Sequence, residues 1–318
     1  MIEVKDLVKK YGSHLAVDHL SFTLESGKIY GFLGPNGAGK STTMNIMTGY
    51  LGATQGSVLI DGHDILKEPE EAKKHIGYLP ELPPLYMDMT VQEYLEFAAE
   101  LKKLPKEKRE SDISEVMKLT RLQDVSGRLI KNLSKGYKQR VGLAQAILGF
   151  PEIIILDEPT VGLDPKQIIE IRELIRTLSK KHTVILSSHI LAEVREVCDY
   201  ILIISKGKLV ASDTPENLEL LRNGASSLEL EVKAAPETAQ AILSTIDDID
   251  AMEMHSENEN LTRVKLETKN GADIRETIFY AFAEEKCPLL EMKTAKASLE
   301  DIFMELTQKE ESNDAGNL

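Results

Sequence analysis

The chain has 318 residues, 42% hydrophobic and 28% charged, a composition that suits a globular protein of one large or two ordinary domains. Its formal net charge is −14, so its overall field repels nucleic acid and anionic headgroups, and no nucleic-acid partner is expected. No stretch of about 18 apolar residues is present, so no segment should span a membrane.

Residues 2–8 and 17–25 are predicted strands. Leu20, Phe22 and Leu24 alternate with Ser21, Thr23 and Glu25, the period of a strand. Tyr11 falls in the polar turn between them; it could stack on a base, or be a plain surface aromatic. Gly27-Lys28 leads into Ile29–Leu33, a short apolar run that reads as a buried strand. Gly34-Pro35-Asn36-Gly37-Ala38-Gly39-Lys40-Ser41-Thr42 follows and fits the phosphate-binding spacing G-x-x-x-x-G-K-[ST]. Residues 42–48 contain no breaker and open a helix, which completes the strand–loop–helix context.

The residue types explain the chemistry. A triphosphate is a compact multiple anion. Glycines let backbone N–H groups face it without a Cβ in the way, and the new helix adds its positive end. Lys40 can reach the β- and γ-phosphates, and the Ser41 hydroxyl can ligate Mg²⁺.

Residues 57–60 and Asp61-Gly62 read as strand and turn. Residues 75–80 form a short strand ending at Pro80, with Glu81 after it. Leu82–Tyr86 is a rigid apolar loop and a candidate partner contact. Thr90-Val91-Gln92-Glu93 is a capping-box pattern, and Val91, Leu95, Ala98 and Leu101 follow at helical spacing. Residues 105–122 continue as a charged amphipathic helix with Ile113, Val116, Met117 and Leu122 inward. Leu133–Gln139 precedes a helix to about Leu148. There Ser134 is a good N-cap, and Ser134 with Gly136 at a helix start also makes a second potential phosphate site. A helical insert over about 82–148 is thus expected.

Ile153–Leu156 reads as a central parallel strand, ending in Asp157 and Glu158, where doubly wound sheets place ligands. Asp157 fits Mg²⁺, directly or through water; Glu158 fits a water poised against the γ-phosphate. Gly162-Leu163-Asp164-Pro165 is a turn before a helix. Thr183–Ser187 is another buried strand, and His189 follows it on the same edge. Residues 201–204 and 208–211 are closing strands, and 215–222 is a helix.

Residues 226–307 form a second, small α+β domain. Strands at 228–232, 250–255, 261–267 and 288–293 and helices at 236–246 and 272–286 fit a split β-α-β sandwich. A last helix covers 298–307, and 308–318 is a polar tail expected to be disordered. This region has no cluster suited to chemistry and reads as regulatory or structural. Neither Cys198 nor Cys287 has a metal-ligand partner nearby, which fits a reducing compartment. Met1–Val4 is strand-like, so no apolar leader is expected.

In the order of these motifs, residues 1–223 resemble an ABC-family ATPase, the nucleotide-binding subunit of an ABC transporter. Gly34–Thr42 looks like Walker A, Ile153–Glu158 like Walker B, Leu133–Gln139 like the signature, and Gly162–Pro165 like the D-loop. His189 resembles the switch histidine and Tyr11 the base-stacking aromatic. The implied fold is an α/β P-loop NTPase cassette: a mainly parallel core sheet, an antiparallel β subdomain and the helical insert. Two departures stand out. Glu81 occupies the Q-loop position where the family has glutamine, and Lys135 and Tyr137 replace a glycine and the glutamine of the L-S-G-G-Q signature.

The resemblance implies ATP and Mg²⁺ as ligands. Tyr11, Gly34–Thr42, Glu81 and Asp164 would contact nucleotide, with Ser134 and Gly136 contributed across a dimer. Ser41, Asp157 and Glu81 would serve the metal, and Glu158 and His189 the catalysis. A second ATPase subunit, identical or homologous, and an integral membrane permease are implied partners. The chain would then be cytoplasmic and peripheral on the inner face of the cell membrane. The C-terminal extension resembles that of exporter ATPases of the type 2 class. A soluble ABC ATPase acting on ribosomes, DNA or protein assemblies is the alternative.

Overall fold

A computed structural model describes residues 1–220, 227–258, 260–269 and 272–295. It divides into two compact units, Met1–Thr214 and a second that begins at Pro215.

The first unit holds two sheets. One is antiparallel, with β1 (Ile2–Tyr11), β2 (His14–Leu24), β4 (Gln55–Ile60) and β5 (His63–Asp64) in the order β2-β1-β4-β5. The other contains β3 (Ile29–Leu33), β6 (Ile76–Leu79), β7 (Ile153–Leu156), β8 (Thr183–Ser188), β9 (Tyr200–Ser205) and β10 (Lys208–Asp213). Its order is β10-β9-β3-β8-β7-β6, parallel except for β10. Every residue of β3, β7 and β8 is buried, which is why they read as unbroken apolar runs rather than alternating ones.

The antiparallel sheet alternates because one face is wet. Its inward residues, among them Val4, Leu7, Leu20, Leu24 and Val58, join Phe32, Ile155, Ile185 and Leu202 of the parallel sheet in one core. Met44, Ile46 and Met47 of α1 (Lys40–Met47) belong to the same core. The helix that opens with Lys40 is therefore anchored by its own apolar residues.

Between β6 and β7 the chain is helical, with α3 (Val91–Leu101), α4 (Lys106–Leu119) and α5 (Lys135–Ile147). Thr90 caps α3 in a reciprocal capping box with Glu93, as its sequence predicts. α4 stops three residues short of the expected Leu122. Arg121 takes a left-handed φ of 55° and ends it, while Leu122 still reaches the core. α7 (Leu191–Val197) follows β8 and ends at Cys198. β5 and α2 (Pro69–Lys74) carry no sequence expectation; they are too brief to show a period. α6 (Pro165–Leu178) begins at its proline, capped by Asp164.

The second unit starts with α8 (Pro215–Leu220). It continues as β11 (Ser227–Val232), α9 (Pro236–Leu243), β12 (Ile249–Asn258), β13 (Leu261–Thr268), α10 (Arg275–Glu284) and β14 (Leu289–Ala295). The antiparallel order β12-β13-β11-β14 is a split β-α-β arrangement. Leu228, Leu230, Val264 and Leu266 of the sheet pack with Ile242, Leu243, Ile278 and Phe282 of the helices. The helix expected over 298–307, the polar tail 308–318 and the end of the first region at residue 223 lie outside the described residues.

Candidate functional site

β3 ends at Leu33, and the loop that follows wraps the start of α1. Two of its glycines are required by close approach. A Cβ on Gly34 would lie 2.2 Å from the Ile204 carbonyl oxygen. Gly39 has φ +100°, and a Cβ there would lie 2.5 Å from the Ala16 oxygen. Gly37, at φ +82°, has no atom within 4 Å of that position, so its backbone borders open space. Lys40 is only 6% exposed. Its ammonium donates to the carbonyls of Gly34 at 2.7 Å and Pro35 at 3.2 Å. Burial pushes the Lys40 pKa down, against the attraction of Glu158 and Asp157.

The C-terminal end of β7 delivers two buried carboxylates to this loop. Asp157 Oδ1 accepts from the Ser41 hydroxyl at 3.1 Å and from the Ser187 hydroxyl at 2.6 Å. Ser187 Oγ in turn accepts from the Glu158 N–H at 2.8 Å. Glu158 turns away in a left-handed conformation, φ 46°, uncommon for a residue with a side chain and met mostly where the surroundings impose it. Its Oε1 lies 3.7 Å from Lys40 Nζ, and its Oε2 lies 3.0 Å from His189 Nδ1. One acid therefore touches the metal-type donor Ser41, and its neighbour touches the lysine and the histidine.

An open cleft of about 500 Å³ covers this arrangement. Tyr11, Asn36, Gly37, Ala38, Gly39, Lys40, Ser41, Thr42, Glu81, Glu158 and His189, all expected from sequence, line it. Gly34 and Pro35 lie behind it as acceptors for Lys40. Asp157 lines an adjoining cleft that shares Ser41 and Glu81. Tyr11 is half exposed, with Lys9 Nζ 5.2 Å from its ring centroid. The residue set suits a polyphosphate with a hard cation: a loop whose backbone borders open space at Gly37, one buried ammonium, and the paired oxygens of Ser41 and Asp157.

Ser134, Gly136 and Asp164 do not line this cleft. Ser134 caps α5, its hydroxyl accepting from the Tyr137 N–H at 3.4 Å. Asp164 caps α6 reciprocally with Gln167. Gly136 is buried under the Gln167 amide, 2.5 Å from where a Cβ would be. The three thus gather where α5 and α6 begin.

Sequence reasoning missed Ser187, which ties Asp157 to Glu158. It read only as the last residue of an apolar strand, and nothing in its spacing marks the cross-strand contact. His14, Ala16 and Val161 also line the cleft and carry no motif. Thr160 and Ser188 both donate to the buried Glu193 carboxylate, at 2.6 and 3.1 Å. That network braces the two segments leaving β7 and β8.

The family model for ABC transporter matches residues 17–161. An uncharacterized ABC transporter ATP-binding protein, YhcH of Bacillus subtilis (strain 168), is 37% identical over 310 residues, 96% of each chain. The bacitracin transport ATP-binding protein BcrA of Bacillus licheniformis is 35% identical over 308 residues, covering 96% of this chain and 97% of that protein. Among solved structures, an ATP-binding subunit of an ABC transporter superposes with a TM-score of 0.64 and 32% identity, over 70% of this chain and 92% of that one. The cassette MJ0796, dimeric in a post-hydrolysis state with ADP and Pi, superposes with a TM-score of 0.62 and 26% identity, over 67% of this chain and 98% of that one. With similarity running along nearly the whole chain and a phosphate-type cleft at its centre, the protein belongs to the ABC transporter family and is an ATP-binding, ATP-hydrolysing transporter subunit.

Proposed function

We propose that this chain drives an exporter, using the Lys40–Glu158–His189 constellation to hydrolyse MgATP at an interface between two cassettes. The single observation that carries the catalytic assignment is the placement of the two Glu158 oxygens, 3.7 Å from Lys40 Nζ and 3.0 Å from His189 Nδ1. Both partners face the cleft that the phosphate loop borders.

The loop N–H groups and Lys40 bind and orient the β- and γ-phosphates. Ser41 and Asp157 would hold Mg²⁺, which supplies charge neutralisation on the phosphate oxygens. Glu158 accepts a hydrogen bond from the attacking water and polarises it. His189 holds Glu158 on one side and, turned toward the cleft, stabilises charge developing on the transferred phosphoryl group. Positioning and electrostatics supply most of the rate in phosphoryl transfer of this kind.

Ser134, Gly136 and Asp164 lie off the cleft, which supports their use in trans: those of a second copy would close over the nucleotide. MJ0796 was solved as a dimer with ADP and Pi. A separate permease would supply the path across the membrane; no helix among the described residues is long and apolar enough to cross one. The chain would then sit at the inner face of the membrane. The exposed Leu82 and Tyr86 beside the helical segment support that loop as the permease contact. Export is supported by relatives named for bacitracin transport and lantibiotic transport.

The test is a mild-detergent pull-down of the tagged chain from its native membrane, read by mass spectrometry. A stoichiometric multi-span protein is expected. Ribosomal proteins or a soluble assembly factor in its place would overturn the transport reading and leave the ATPase assignment standing.

A further inference from the structure

At the far ends of the catalytic strands lies a second cluster of ligand-type side chains. His75 precedes β6 and Glu152 precedes β7; these strands end next to Glu81 and Asp157. Asp61 comes from the β4–β5 hairpin. One ligand atom from each of Asp61, His75 and Glu152 lies within 4.8 Å of the other two. We propose that these three residues form a site for a zinc-type divalent transition-metal ion.

The backbone builds this cluster from three distant segments. Ile60-Asp61-Gly62-His63 is a tight hairpin in which Asp61 and Gly62 both have positive φ, 48° and 87°, as a two-residue Asp-Gly turn requires. The Ile153 N–H donates to the His75 carbonyl at 2.9 Å, and Ile76 pairs with Ile153 across the parallel strands. His75 and Glu152 are thereby held side by side, with Nδ1 3.5 Å from Oε2. That separation is already close to the edge of a zinc tetrahedron, roughly 3.4 Å for bonds of about 2.1 Å.

The surroundings favour a cation. Glu68 lies 3.4 Å from His63 Nδ1, and the His63 ring stacks on the His75 ring at 6.2 Å and 14°. The Asp61 carboxylate also lies 3.7 Å from the Met1 ammonium, which an ion would displace. His75 is three-quarters buried while Asp61 and Glu152 are half exposed or more, so an ion has a path from solvent. One imidazole with two carboxylates suits Zn²⁺ better than Mg²⁺, which takes an all-oxygen shell. Water would complete the coordination. Such an ion would tie the hairpin of the antiparallel sheet to the entry edge of the parallel sheet. Its role is that of a clamp, remote from the nucleotide cleft.

The test uses the full chain, free of nucleotide and Mg²⁺, titrated with Zn²⁺ in a calorimeter, with Tm measured in parallel. Wild type should bind one equivalent and rise in Tm. E152Q, at an exposed side chain, and H75Q, which leaves the His75 carbonyl bond to Ile153 N–H in place, should fold normally, lose the Tm response, and weaken binding by roughly tenfold or more. Their ATPase rate without Zn²⁺ should match wild type. Equal Zn²⁺ affinity in all three proteins would overturn the proposal. So would the absence of binding heat and Tm shift at millimolar Zn²⁺.

Discussion

Glu158 Oε1 lies 3.7 Å from Lys40 Nζ, with both groups less than 10% exposed. A buried acid thus sits against the buried lysine of the glycine-rich loop. The two are held by different elements, the end of β7 and the start of α1, so their charge balance depends on the fold being intact.

Removing the Glu158 charge while keeping its shape tests its role as the water-orienting group. Glu158→Gln should cut steady-state ATP hydrolysis by about 10² or more and leave ATP binding in place. An ATP-dependent dimer should then accumulate in size-exclusion chromatography. Normal turnover, or a protein that stays monomeric at saturating ATP, would refute this.

Lys40 offers a pH signature. Burial lowers its pKa, so the ammonium is lost at a lower pH than in an exposed lysine, ordinarily about 10.4. Below the shifted pKa the charge is present and ATP affinity should be flat; above it affinity should fall. The same shift means the unfolded chain binds the extra proton between the two pKa values, so the Lys40 contribution to stability rises with pH there. ATP Kd measured across the alkaline range should show the decline in wild type. Lys40→Arg should lack it, because guanidinium does not titrate there.

Glu81 is the second acid lining the cleft, beside Glu158, and its charge bears on Lys40. It is exposed, so its influence is screened by salt. Glu81→Gln should tighten ATP binding a few-fold at low ionic strength, shift the Mg²⁺ concentration for half-maximal turnover, and lose both effects in high salt. Unchanged Mg²⁺ dependence would show that this acid plays no part in metal handling.

Two loop glycines should respond differently to alanine. At Gly34 the new Cβ meets a backbone oxygen at 2.2 Å, which cannot move aside, so Gly34→Ala should cost about 1–3 kcal/mol of stability and distort the loop. At Gly37 there is room but the φ of +82° is wrong for alanine, a strain of roughly 1–2 kcal/mol. Thermal melts should rank Gly34→Ala as the more damaging change.

Ser134 separates binding from closure. It is exposed and away from the nucleotide cleft, so Ser134→Arg should bind ATP with wild-type affinity as a monomer. In the Glu158→Gln background it should abolish the ATP-dependent dimer. Loss of ATP affinity in the isolated monomer would argue against use of Ser134 in trans.

What the sequence alone determined was local. The loop Gly34–Thr42, the apolar runs of β3, β7 and β8, and the caps at Thr90 and Ser134 are all decided by neighbours within a few residues, so spacing and residue type suffice to find them. Asp157 and Glu158 were legible as a pair because they end an unbroken aliphatic run. What only the tertiary structure decided depends on contacts over long chain separations. Ser187 reaches Asp157 because β7 and β8 are adjacent parallel strands. Gly136 lies under Gln167 because two helix starts converge. Asp61, His75 and Glu152 meet because a hairpin of one sheet lies at the edge of another. A linear pattern carries neither the register between strands nor the convergence of helix starts, and these set those distances.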